Sequence, residues 1–314
     1  MNKLAFGSNV AATDPIGPIG EVIKIIVNGS QPQELALARV CHTRAPGHAV
    51  TLAREAALDG VERVIVVGGD GTINEVVRGL MSVDRGLRPA LGIVAHGTSN
   101  DFANSAGISM DVGLALREAM TGTPRSIDVG RLTRRADSHW FLNLATGGVL
   151  RGPRSGARTQ LVGGLVYTVA GILGLPAMQS ATLKVRGESF EWFGAIYAIA
   201  IGNGRSAGGG FGLCPDASVV DGELDVTIIP ATLGFADVLE LIDDRGVAGI
   251  SAIPRFRSPW IEFEADTHLH LNIDGEPRSI SGGRFEVVSR GLEVVLPSSS
   301  PLLRSCDRIS PWPR

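Results

Sequence analysis

VIVVGGDGTINE, Val64 to Glu75, joins a buried strand to a glycine-rich turn and the start of a helix. Val64, Ile65, Val66 and Val67 are β-branched and lack polar alternation, the pattern of a strand covered on both faces in the parallel sheet of an α/β domain. Gly68, Gly69 and Gly71 free the backbone for a tight turn and let a ligand approach it closely. Thr72 is expected to cap a helix over Ile73 to Met81. Such a turn attracts phosphate through backbone N–H groups and the helix dipole.

Upstream, Lys3 to Phe6 reads as a first strand, followed by Gly7-Ser8-Asn9, a loop to Pro18 and a helix-like apolar run, Ile19 to Val27. Leu35 to Cys41 is expected as the second strand, with Thr43 just beyond it. Pro46 to Leu58 has Ala and Leu at helical spacing, with proline near the first turn, where it is tolerated. Downstream, strand Ala90 to Val94 ends in a second polar turn, Ala95 to Phe102. A helix over Asp111 to Met120 follows, then RSIDVGRL, Arg125 to Leu132, as the passage out of a first domain. Alternating strands and helices predict right-handed crossovers, a parallel sheet and a ligand beyond the strands' carboxyl ends.

From about Trp140 the pattern changes to short strands separated by turn residues. They are Trp140 to Leu144, Thr182 to Val185, Ala195 to Ile201, Leu224 to Ile229, Trp260 to Phe263, His268 to Ile273, Arg284 to Val288 and Leu292 to Leu296. This predicts a mostly antiparallel β-sandwich, interrupted by helical pieces Leu161 to Leu175 and Phe235 to Asp243. The expected domains are therefore 1–130, an α/β domain with a parallel sheet; 131–297, a β-sandwich; and an irregular tail, 298–314. The tail either packs back on the first domain or frays.

The 314 residues, 44% of them hydrophobic, suit two domains with ample core. A net charge of −3 supplies no basic field for nucleic acid. Cys41, Cys214 and Cys306 are far apart, without metal-ligand spacing, as befits a reducing cytosol. The histidines lack metal spacing too, and the N-terminal residues lack the apolar core of a signal peptide. Thr159 to Leu183 is uncharged and long enough to span a bilayer, but its glycines, proline and polar residues favour a buried or lipid-facing helix. Arg151, Arg154 and Arg158 precede it, a cationic start that suits a lipid headgroup or, more plainly, a solvated charge run.

GGDGTINEVVRGL (68–80), HGTSNDFANSAGI (96–108), IDVGRL (127–132), GNGRSAGGG (202–210), PDASVVDGELDV (215–226) and IDGE (273–276) follow one another along the chain. In this order they resemble the motifs of the diacylglycerol kinase family, closely so its soluble bacterial branch. The resemblance covers nearly the whole chain and implies ATP-dependent transfer of the γ-phosphoryl group to a lipid hydroxyl, in a cleft between an α/β domain and a β-sandwich. NAD kinases share the GGDGT turn, but GTSNDFA and PDASVVDGELD match lipid kinases.

Carried over by position, the resemblance places Gly69, Asp70, Gly71, Thr72, Ile73, Asn74, Glu75, Thr98 and Thr43 against the nucleotide. It assigns Glu276 as the proton acceptor, and Ser218, Asp221 and Glu223, the last through its backbone, as ligands of a structural Mg²⁺. A carboxylate beside a triphosphate is repelled unless it handles Mg²⁺, so Asp70 is expected to do so; bracing the turn is its plainer role. Asn100 and Asp101 either order the second turn or reach nucleotide. Asp274-Gly275 and Asp221-Gly222 are also ordinary turn dipeptides. Gly208 to Gly210 is a backbone wall near the substrate or a mobile loop.

Two departures from the family pattern stand out. The phosphate loop after the first strand is expected at Gly7 to Thr13, which lacks the usual proline and basic side chain. The alternative, Val27-Asn28-Gly29-Ser30, leaves only about a dozen residues before Thr43. His96 stands where proline is usual. The expectation is a lipid kinase using ATP and Mg²⁺ at the cytosolic membrane face, with a homodimer left open. A catalytically inactive lipid- or nucleotide-binding homologue is the alternative, and the acceptor lipid is not legible.

Overall fold

The computed structural model describes residues 23–28, 40–134, 137–149, 180–233 and 246–304. Lys3 to Phe6, Gly7 to Thr13, Arg151, Arg154, Arg158, both expected helices of the second half and the tail beyond 304 lie outside the described residues, as does most of Thr159 to Leu183.

The first half alternates as expected. Strands β1 (Ile23–Val27), β2 (Val40–His42), β3 (Arg63–Gly68) and β4 (Ala90–Ala95) pair in parallel in the order β2-β1-β3-β4. Helices α1 (His48–Leu58) and α2 (Asp70–Met81) follow β2 and β3, and α3 (Asp101–Ala106) and α4 (Val112–Thr121) follow β4. All four β-branched residues of β3 are wholly buried. On α2, Ile73, Val76, Val77 and Leu80 recur at helical spacing and are buried, while Gly79 lets α1 come close. A Cβ there would stand 2.4 Å from the Val50 carbonyl oxygen.

Two expectations need correction here. The Ile19 to Val27 run is not helical in its described part: IKIIV is a strand, paired with β3 from Ile23↔Arg63 to Val27↔Val67. Short apolar runs are ambiguous by periodicity, and here β-branched content decides. Strand β1 ends at Val27, directly before Asn28. Thr72 does not cap α2, which begins at Asp70 with Gly69 at the N-cap. Asp111 does cap its helix, accepting from Leu114 N–H at 2.8 Å.

The second half is antiparallel but does not form separate short strands. Trp260 to Ile273 is one strand, β14, and Glu276 to Val295 another, β15; the expected breaks are register shifts at Glu264/Leu269 and Val288/Leu292. Bulges bend long strands without ending them. Strands β5 (Pro124–Arg134), β6 (Asp137–Phe141), β7 (Leu144–Gly148), β8 (Ala181–Gly187), β9 (Glu191–Gly202), β12 (Leu224–Pro230) and β13 (Arg255–Ser258) join them; β10 (Ser206–Ala207) and β11 (Phe211–Gly212) form a small hairpin. Arg125 to Leu132 is thus part of β5, paired along β15 from Val295↔Pro124 to Arg284↔Thr133.

The two halves are not separate sheets either. β15 pairs in parallel with β4 at Val294↔Leu91, making one mixed sheet of thirteen described strands. Beyond β15, Leu302 is wholly buried in the apolar cluster of the first half, with Phe102 and Leu296. Its carbonyl accepts from Val219 N–H at 3.0 Å and from the Ser218 hydroxyl at 3.1 Å. Ala181 and Leu183, the end of the uncharged Thr159 to Leu183 stretch, are buried in β8. Among the described residues no helix is long and apolar enough to cross a membrane.

Candidate active site

The carboxyl ends of β1, β3 and β4 bring Asn28 and the turns after β3 and β4 to one place. The turns after β3 and β4 touch backbone to backbone: a Cβ on Gly97 would lie 2.4 Å from Gly69 Cα. Asn28, at the end of β1, donates through Nδ2 to Thr72 Oγ1 at 2.8 Å and accepts from the Thr43 hydroxyl at 3.1 Å. Thr43 and Thr72 are therefore linked by a residue placed elsewhere in the sequence reading.

Across from these turns stands Asp274-Gly275, between β14 and β15. Both residues have positive φ, 46° and 92°. Gly275 faces the first turn of α2, its would-be Cβ 3.8 Å from Gly71 N. The Asp274 carboxylate accepts backbone N–H groups of Leu142 (2.6 Å), Asn143 (3.1 Å) and Leu144 (2.9 Å). Burial nonetheless pushes it up to about 6, against those hydrogen bonds and with the nearby charge of Asp70 adding to the rise.

Asp70, Asp101, Asp274, Gly275, Asn143 and Gly208 line the same cleft, with Ile73 and Phe102 as apolar wall. Asp70 Oδ1 accepts Phe102 N–H at 3.3 Å. Asp101 accepts Gly209 N–H at 2.7 Å, tying the second turn to the triple-glycine loop. Burial holds Asp101 above the usual carboxylate range; the Gly209 and Gly208 N–H groups pull it down and Asp70 adds to the rise. Three carboxylates thus share one cleft, and the charge of Asp70 disfavours ionisation of the other two.

Known proteins match both halves of the chain. Residues 22–132 match the diacylglycerol kinase catalytic domain and residues 154–296 the YegS C-terminal NAD kinase beta sandwich-like domain. A "probable lipid kinase YegS-like" protein of Cronobacter sakazakii is 36% identical over 90% of this chain and 92% of its own length. One from Klebsiella pneumoniae is 40% identical over 82% and 86%. The chain belongs to the diacylglycerol kinase family, in its YegS-like branch of lipid kinases. A diacylglycerol kinase crystal structure from Bacillus anthracis shares the fold, with a TM-score of 0.69 at 20% identity, covering 89% of this chain and 98% of the other. The match from residue 22 agrees with β1, not Lys3 to Phe6, as the kinase domain's first strand.

Within this lipid kinase fold the residues expected at the nucleotide have different fates. Asp70 and Ile73 line the cleft, Gly69 lies against Gly97, Gly71 faces Gly275, Thr72 is bonded to Asn28, and Thr98 is exposed on the second turn. Asn74 is 3% exposed and turned inward, donating to the Trp140 carbonyl at 2.8 Å and reaching Asp274 at 3.4 Å. Glu75 points to α1: its carboxylate accepts the N–H groups of Gly47 (2.8 Å) and Ala49 (3.1 Å). It caps a helix whose own N-cap is a glycine. Asn100, at φ 51°, donates to the Gly97 carbonyl and so braces its turn.

Glu276 stands outside the described lining of the cleft, beside it on β15. Its carboxylate pairs with Arg78 of α2 and with Arg278 at 2.7 Å. The second-half metal set is also engaged. Ser218 is 1% exposed and bonded to Leu302, and Asp221 accepts Glu223 N–H at 3.1 Å. Arg257 lies 3.8, 3.7 and 3.6 Å from the carboxylates of Asp221, Glu223 and Asp225. Burial raises all three, Asp225 to about 7. Among the described residues no three His, Cys, Asp or Glu side chains could hold a metal ion together. Asp221 and Asp225 each keep one buried oxygen without a hydrogen bond. Those same oxygens face the Arg257 guanidinium, which serves three carboxylates.

Sequence reasoning named Asn28 only in the alternative loop placement, and Asp274 chiefly as a turn residue. Asn203 and Asp128 were passed over. Asn203 is fully buried and donates to the carbonyls of Asp128 and Leu142; Asp128 accepts from Gly222 and Arg290, both at 2.7 Å. Both lie inside quoted motifs, GNGRSAGGG and IDVGRL, which was the available signal.

Proposed function

We propose that this chain transfers the γ-phosphoryl group of ATP to a lipid hydroxyl in the cleft between the α2 turn and the Asp274-Gly275 turn. The observation that carries the reading is the meeting of Asp70 and Asp274, two hundred residues apart, across a phosphate-binding type of turn. The backbone of Gly69 to Thr72 and the helix dipole of α2 receive the phosphates. Thr43, Asn28 and Thr72 hold the floor of that turn. The acceptor oxygen forms its bond to the γ-phosphorus as the bridging oxygen to the β-phosphorus leaves with ADP, and Glu276 takes the hydroxyl proton.

Asp70, with Asp101 and Asp274 nearby, is the group to hold a hydrated Mg²⁺ that arrives on the nucleotide. When bound, the ion neutralises phosphate charge in the transition state. The acceptor is presented at a membrane surface, because long-chain lipids reside there. The test is label transfer from [γ-³²P]ATP to diacylglycerol, a sphingoid base and a ceramide in mixed micelles, with Asp70→Asn and Glu276→Gln alongside. Labelling of one lipid class that falls at least a hundredfold in both variants supports the reading; equal labelling by all three proteins overturns the mechanism. The pairing of Glu276 with two arginines favours one rival, a binding protein without turnover, which predicts lipid or ATP binding and no transfer.

A further inference from the structure

Glu276 is held by a chain of side chains that reaches the surface. One carboxylate oxygen meets Arg78 Nη1 from α2, and the other accepts from Arg278 Nη2 at 2.7 Å. The same Arg278 Nη2 lies 3.3 Å from His139 Nδ1 on β6, and His139 Nε2 lies 2.9 Å from Asp137 Oδ2. The tautomer with hydrogen on Nε2 satisfies both contacts, Nδ1 accepting from Arg278 and Nε2 donating to Asp137. Three elements therefore converge on one carboxylate: α2, which also supplies Asp70; β15, which follows the Asp274-Gly275 turn; and β6. The Glu276 and Arg278 side chains are 28% and 33% exposed and His139 is 17% exposed, while Asp137, at 73%, opens the chain to water.

We propose that Arg78 and Arg278 are positioning residues for Glu276, and that His139 with Asp137 fixes Arg278 in turn. The proposal rests on Glu276 being the proton acceptor. A glutamate has three rotatable bonds, so a carboxylate at the cleft rim would otherwise sample many positions. Two guanidinium groups, one per oxygen and anchored on different elements, restrict it to one. A planar guanidinium can bond Glu276 and His139 at the same time, which a lysine ammonium on a flexible stem does poorly. Misplacement of a reacting group by about 1 Å can cost on the order of a hundredfold in rate.

The experiment measures kcat and KM for ATP and for the labelled lipid of the panel, with circular dichroism melts as a folding control. Variants are Arg278→Gln, Arg278→Lys, Arg78→Gln, His139→Gln and Glu276→Gln. Positioning predicts that Arg278→Gln and Arg78→Gln lower kcat about ten- to a hundredfold with both KM values within about twofold. Arg278→Lys is expected in between, and His139→Gln to lose about three- to tenfold through Arg278 alone. Arginine and histidine variants within twofold of the parent, or faster than it, while Glu276→Gln loses at least a hundredfold, overturn the clamp and leave the function standing. Full activity in Glu276→Gln overturns the assigned proton acceptor itself. Should Arg278→Gln fail to fold, His139→Gln and Arg278→Lys decide between the same outcomes.

Discussion

Replacing Glu75 by alanine separates two roles that the GGDGTINE segment left combined. In the structure Glu75 caps α1, receiving Gly47 N–H at 2.8 Å and Ala49 N–H at 3.1 Å. Gly47, at φ 83°, has no side chain to take over. Losing a side-chain cap costs about 1–2 kcal/mol, and losing a carboxylate from a helix N-terminus about 0.3–1 kcal/mol more. The Gly47 bond is exposed and water can replace it, so most of the loss falls on Ala49, whose residue is wholly buried. A net cost of about 2 kcal/mol follows, or a drop in Tm of about 4–8 °C at the roughly 2–4 °C per kcal/mol of a large domain. Glu75→Gln keeps one carbonyl acceptor and should recover about half. Thermal unfolding at 222 nm gives the Tm values, and initial rates give KM for ATP, expected within twofold of the parent. An unchanged Tm together with a tenfold rise in KM would refute the capping role and return Glu75 to the nucleotide.

Gly97→Ala should lower kcat/KM for ATP at least tenfold, because its Cβ would sit 2.4 Å from Gly69 Cα and neither backbone can yield without parting the two turns. Gly86→Ala, whose Cβ meets nothing within 4 Å, is the control and should match the parent in the same assay. Asp274 gives a pH signature. Its folded-state value is raised from 3.8 to about 6, so between those values the folded chain binds more protons than the unfolded one. Its contribution therefore makes unfolding free energy fall by about 2–3 kcal/mol as pH rises from about 4 to about 6. Urea melts across that range should show a smaller fall in Asp274→Asn, whose neutral amide does not titrate. Parallel pH profiles for the two proteins would remove this account.

Much of the α/β half was readable because burial leaves local marks. β3, α1, β4 and α4 were each placed within a few residues, since a strand buried on both faces and an amphipathic helix carry distinct periods. The glycine turns were readable for a similar reason: close backbone approach excludes side chains, as Gly69 and Gly97 show. The six apolar residues of Ile19 to Val27 carried no such mark, and the described part of this expected helix is strand β1. In the second half β14 and β15 each looked like two strands because a bulge and a true turn use similar residues.

The sequence by itself determined where backbone must turn tightly, which runs are buried, and, through the order of its motifs, the family. Only the tertiary structure decided which side chains those turns present. Asp70, Asn74 and Glu75 lie within six residues, yet Asp70 faces the cleft, Asn74 supports Asp274 and Glu75 caps α1. Their different directions follow from the helix repeat of α2 and from three different neighbours packed around it. The same holds for Glu276, whose two arginine partners lie on α2 and on β15 itself, and for β15, whose parallel pairing with β4 joins the halves. Hydrogen bonds spanning two hundred residues depend on how distant elements dock, and local periodicity carries no record of that.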